Sequence, residues 1–156
     1  MTKTKLIKFL IGKLILETVL VATIAVGFYI IAFPPYFHGW GEATPSAIAG
    51  WAVNDSDPWQ RVTVQLFVDG VLYGSQTASL SRPDVSSAGW ARDEWHGYNF
   101  PIPKLSEGTH EARVYAMHES GGRTRWTLQQ LGDPIWFSVD AKGTLTDLSK
   151  VSAPDR

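Results

Sequence analysis

Three short runs concentrate the side chains that could do chemistry. Asn54-Asp55-Ser56-Asp57 places oxygen donors along one loop, the ligand type that calcium takes. The run lacks the glycine and distal glutamate of an EF-hand loop, and Asx-rich turns use the same residues to bond their own backbone. Asn54-Asp55-Ser56 is also a formal N-glycosylation sequon. Asp93-Glu94-Trp95-His96 gathers two carboxylates and an imidazole, without the second nearby histidine that would complete a zinc set. His118-Glu119-Ser120 holds a base, an acid and a hydroxyl, but triads are assembled from residues distant in sequence. No Gly-x-Ser-x-Gly elbow, His-Glu-x-x-His pair or phosphate-cradling glycine loop occurs. This inventory points to a protein that binds and does not catalyse, and no metal or cofactor is expected.

Surface chemistry is what remains. Trp59, Trp90, Trp95, Trp126 and Trp136 are too many for one small core, and several lie beside turn residues. Trp90 and Trp95, which bracket Ala91-Arg92-Asp93-Glu94, are the best candidates for an exposed platform that anchors a protein interface or stacks on a sugar ring. The structural alternative is that they plug the open end of a β-sandwich.

These residues must be positioned by a chain of 156 residues, enough for one domain with a core. Cysteine is absent, which excludes a disulfide framework, thiolate metal sites and a cysteine nucleophile. The formal charge of −1 hides a split. Lys3, Lys5, Lys8 and Lys13 precede every acidic residue, leaving 10 basic against 14 acidic residues from Pro34 onward. A net acidic body lacks the basic face that nucleic acid requires.

Leu14 to Phe33 carries one charge, Glu17, in twenty residues; at 1.5 Å per residue that spans roughly 30 Å, the thickness of a bilayer core. Pro34 and Pro35 should end the helix, and Tyr36, Phe37 and Trp40 follow where an interfacial aromatic belt is expected. The lysines upstream place the N-terminus in the cytoplasm by the positive-inside rule, with the rest outside the inner membrane. Ala47-Ile48-Ala49 has the form of a signal-peptide cleavage site but lies too far from the apolar run. Gly12, Lys13 and Glu17 imitate pilin spacing, although a pilin has an apolar residue after the glycine and a longer helix. Glu17 can pair with Lys13 one turn earlier or, with the small pair Thr23 and Gly27, meet another transmembrane helix.

Beyond a connector at 34–46, short apolar runs alternate with turns. Val62 to Val68 alternates at period two, Asp69-Gly70 supplies a hairpin turn, and Val71 to Ala78 returns. Further strands are expected at Ala47–Val53, Tyr98–Ile102, His110–Met117, Trp126–Leu131 and Ile135–Val139. About seven strands fit an all-β, two-layer antiparallel sandwich over 47–140, followed by a polar tail at 141–156.

Five motifs occur in order: Gly50-Trp51-Ala52-Val53-Asn54, Phe67-Val68-Asp69-Gly70, Arg82-Pro83-Asp84-Val85, His96-Gly97-Tyr98, and Gly108-Thr109-His110 leading to Val114-Tyr115-Ala116. Together they resemble a bacterial immunoglobulin-like β-sandwich module of surface and envelope proteins, over roughly Ala47 to Val139. The resemblance implies a fold and no reaction. On physical grounds Trp51 is expected between the sheets, Arg82 and Asp84 in a rigid turn, and His96 and His110 in local backbone bonds. The functional expectation is a membrane-anchored accessory subunit of a larger membrane complex, held by the bilayer and by neighbouring subunits. The alternative is a tethered carbohydrate or cell-wall binding module.

Overall fold

The computed structural model describes residues 3–32, 36–102, 105–120 and 125–149, in two units divided after Pro34. The first unit is one helix, α1 (Lys3–Ala32), which starts well before the expected Leu14 because nothing in 3–13 breaks a helix. Its segment Lys5–Tyr29 is long and apolar enough to cross a membrane. Thr18 and Thr23 donate their hydroxyls to the carbonyls of Leu14 and Val19 at 2.8 Å, which satisfies both groups within the helix. The expected stop at Pro34-Pro35 lies outside the described residues.

The second unit is mostly β, in two antiparallel sheets. Its elements are β1 (Phe37–Thr44), β2 (Ala47–Asn54), β3 (Thr63–Val68), β4 (Val71–Thr77), β5 (Leu80–Ser81), α2 (Pro83–Ser87), β6 (Trp95–Pro101), β7 (Gly108–Ser120), β8 (Arg125–Gln130), β9 (Ile135–Val139) and β10 (Leu145–Asp147). One sheet runs β1-β2-β6-β5; the other runs β10-β9-β7-β3-β4, with β8 also paired to β7. The β3–β4 hairpin turns at Asp69-Gly70 as its sequence predicts, Asp69 at φ +50° and Gly70 at φ +77°. Ile48, Ala52, Tyr98 and Phe100 from the first sheet meet Val64, Leu66, Val114 and Phe137 from the second in a shared core.

Three strands were not expected. β1 fills most of the supposed connector, and β10 orders part of the supposed tail, where Leu145 is buried in the core. β5, of two residues, pairs with β6. Phe37 is corrected with β1: its ring is 5% exposed within the core, so it cannot serve an interfacial belt. β1 is an edge strand held partly by side chains. The Phe37 N–H donates to Gln129 Oε1 (3.1 Å), Gln129 Nε2 donates to the Phe37 carbonyl (2.9 Å), and Ala43 N–H donates to Asp147 Oδ2 (3.2 Å). Gln129→Ala is expected to cost about 1–2 kcal/mol in urea unfolding and to raise amide exchange at the start of β1, since two bonds vanish at once.

Three of the five motifs meet at the first sheet, Gly50–Asn54 on β2, His96–Tyr98 on β6 and Arg82–Val85 where β5 leads into α2; the other two lie on β3 and β7 of the second sheet. Gly41, Gly50 and Tyr98 are register partners across β1, β2 and β6. The Tyr98 ring, 2% exposed, lies over the two glycines and donates its hydroxyl to the Trp40 carbonyl at 3.2 Å. A Cβ on Gly50 would strike the Trp40 carbonyl and the Tyr98 ring carbon Cζ, the latter at 2.6 Å. On the opposite face, a Cβ on Gly97 would stand 2.8 Å from the Arg82 stem, so that glycine makes room for Arg82. Arg82 reaches Asp84 through Nε (2.8 Å) and Nη2 (2.6 Å), and the expected rigid turn is the entry to α2, with Pro83 in its first turn. Trp51 is corrected. It does not sit between the sheets but packs with Val53, Val85 and Ala91, on the face away from the shared core. Alternation along β2 dictates this once Ile48 and Ala52 point inward.

Candidate functional site

Six of the seven tryptophans expose between 45% and 62% of their surface, so the core is built without them. Register assigns several to one place. Trp40, Trp51, Gly97 and Leu80 are aligned across β1, β2, β6 and β5, and form a row on the outer face of the four-stranded sheet. Trp95 points the same way by alternation along β6. His38, aligned with Val53, adds an imidazole edge-on to Tyr36 (4.4 Å) and Trp90 (4.7 Å), and Trp90 lies 6.1 Å from Trp51.

Trp90 is held here by what precedes it. α2 ends at Ser87, Gly89 turns at φ +81°, and Trp90 N–H donates back to the Val85 carbonyl at 3.2 Å. Buried Val85 and Ala91 pack beneath it on Val53, while the Trp90 ring itself stays half exposed. His38 Nδ1 stands 3.1 Å from Asp55. The result is an aromatic face of Tyr36, Trp40, Trp90, Trp95 and Leu80 over a fixed base, the composition found at binding hot spots. Trp90 and Trp95 are both exposed, but no ring contact joins them among the described residues. Leu80 and the Trp40–Trp51 row escaped sequence reasoning, because only register aligns strands so far apart in the chain.

The singled-out His96 of β6 and His110 of β7 lie in two further networks. His96 is fully buried on the inner side of β6 and is no turn residue. Arg61 donates to Asp93 Oδ2 (2.7 Å) and to the Trp59 carbonyl (3.0 Å), and stands 3.3 Å from His96 Nε2. Burial first, and then the Arg61 charge, lower the His96 pKa, while the Arg61 hydrogen bond lowers that of Asp93. His96 Nε2 also stands 3.2 Å from Asp93 Oδ1, so the ring faces a guanidinium and a carboxylate together. This network ties the 58–61 loop to β6.

Asp69 and His110 form the second network. Asp69 Oδ2 stands 2.7 Å from His110 Nδ1 while Oδ1 accepts the Glu111 N–H (3.0 Å); His110 Nε2 faces the Ser106 carbonyl at 2.9 Å. Both ring nitrogens face acceptors, which favours the imidazolium. The Asp69 bond raises the His110 pKa, and His110 lowers that of Asp69.

Asn54 is 4% exposed, donates to Gln60 Oε1 (2.7 Å) and accepts from Ser56 N–H (2.9 Å). The acceptor side chain of the sequon is therefore buried although Asp55 and Ser56 are exposed, and its oxygen serves an Asx turn. Among the described residues no three histidine or acidic side chains come together as a metal site. His118 and Glu119 are consecutive on β7, so they point to opposite faces. On α1, Glu17 stands 3.5 Å from Lys13, and a Cβ on Gly27 would touch nothing. Compared with known proteins, the chain matches no family model, no curated protein and no solved structure.

Proposed function

We propose that this chain is a non-catalytic accessory subunit of a larger membrane protein complex. It is anchored by α1 with its N-terminus in the cytoplasm and carries an immunoglobulin-like sandwich on the outer side. The observation that carries the reading is the exposed aromatic face of the four-stranded sheet, too large and too well supported from beneath to be incidental. The upstream lysines support the orientation, and two antiparallel sheets over one core support the sandwich. Helix and sandwich each bind a neighbour weakly, and their covalent link raises the effective concentration of the second contact. On the helix, Glu17, Thr23 and Gly27 are the proposed contacts.

Extraction in mild detergent followed by native electrophoresis and mass spectrometry tests this. The chain should run with partners at fixed stoichiometry. Trp40→Ser with Trp90→Ser should release it, at a cost of about 2 kcal/mol or more per central aromatic. Migration alone under gentle extraction would refute the proposal.

A further inference from the structure

A second surface, on the far sheet, carries different chemistry. Phe67, Asp69, Gly70, Glu111, Arg113, Tyr115 and Leu128 line an open groove of about 640 Å³ on the outer face of the six-stranded sheet. That volume falls in the range of small-molecule sites, roughly 300–1,000 Å³. Phe67 and Tyr115 form its apolar floor, edge to face at 5.3 Å. Trp136, aligned with Glu111 and half exposed, extends the same face.

The polar groups are neutralised in pairs. Arg113 donates to Glu111 Oε1 through Nε (2.9 Å) and Nη2 (2.7 Å), and Asp69 is held by His110. Paired in this way, the charges largely cancel, so the groove offers little net charge to attract an ionic ligand. A neutral ligand would find Glu111 Oε2, which accepts no hydrogen bond within the described residues, beside a guanidinium and a phenol. Aromatic faces beside carboxylate and guanidinium groups with spare hydrogen-bonding capacity match the alternating C–H faces and hydroxyl edges of a pyranose. Its lining comes from β3, β7, β8 and the β3–β4 turn, so it crosses neighbouring strands, which suits an extended oligomer. We infer that the groove formed by Phe67, Glu111, Arg113, Tyr115 and Leu128 binds a neutral oligosaccharide. It is separate from the Trp90 and Trp95 platform and independent of the subunit reading.

Isothermal titration of the full chain in detergent with β-1,4-linked N-acetylglucosamine, β-1,4-glucan and α-1,4-glucan hexamers tests this and separates the sugar sources. At least one hexamer should bind. Tyr115→Ala should weaken that binding about tenfold, the loss of one aromatic contact. Glu111→Gln keeps the side-chain shape and carries the test if Tyr115→Ala fails to fold; it should weaken binding several-fold. Trp90→Ala should leave binding unchanged. Absence of heat with all three hexamers, binding that survives both groove substitutions, or binding lost in Trp90→Ala would each overturn the inference. Co-purification with partners should survive Glu111→Gln, so failure here is distinguishable from failure of the complex.

Discussion

Gly50→Ala is expected to destabilise the β unit by more than about 3 kcal/mol, a large part of the 5–15 kcal/mol that holds a domain together. The added methyl would meet the Trp40 carbonyl and the Tyr98 ring, and neither can retreat. The carbonyl belongs to the neighbouring strand and accepts the Tyr98 hydroxyl, and the ring is packed in the core. Gly74→Ala is the matched control. Its Cβ would meet only Phe100 at 3.6 Å, an ordinary contact, so stability should stay within about 1 kcal/mol or rise as the unfolded chain loses freedom. Urea unfolding followed by far-ultraviolet circular dichroism measures both. Equal midpoints for the two variants would show that the Tyr98 ring is not held against β2 as described.

The second large effect is a pH dependence that belongs to Asp69 and His110. The His110 pKa is raised in the folded chain, so its stabilisation is complete below the unfolded value of 6.5 and is lost as pH rises through the raised value. The Asp69 pKa is lowered from 3.8, so its contribution is present above 3.8 and is lost as pH falls through the lowered value. The pair therefore stabilises the fold across mildly acidic to neutral pH and weakens on the alkaline side. His96 acts in the opposite sense. Its lowered pKa gives stability that is full above 6.5 and lost in acid. Asp69→Asn should flatten the alkaline decline and leave the acid limb, which His96 shapes. With Asp69 half exposed, about 1 kcal/mol should separate parent from variant at pH 6, shrinking toward pH 9. Urea midpoints from pH 5 to 9 measure this, and parallel curves for both proteins would contradict it.

Legibility followed the physics of each segment. The β3–β4 hairpin could be read directly, because alternation from Val62 to Val68 and an Asp-Gly turn are local signals. The long apolar helix was equally plain, since composition and length suffice. β1 was not legible: Gly39 and Gly41 lower its strand propensity, and the small residues suit the Tyr98 ring, which arrives from nearly sixty residues away together with the more distant Gln129 and Asp147 side chains that help hold the strand. β10 depends on Leu145 entering a core that other strands create. Trp51 shows the limit of alternation, which separates two faces without saying which is covered by the second sheet and which by α2. The exposure of Trp90 and Trp95 could be anticipated by counting tryptophans against core size. Their companions Trp40 and Leu80, and the meeting of Phe67 with Tyr115, rest on cross-strand register between distant segments.

A core assembled without tryptophan inverts the usual meaning of this protein's ultraviolet emission. Six indoles already meet water in the native state, so denaturation should shift the emission maximum only slightly. Seating of a neighbour or a ligand, which dries those rings, should move it to shorter wavelength. In this chain fluorescence is a gauge of occupancy, and folding is better followed through the backbone.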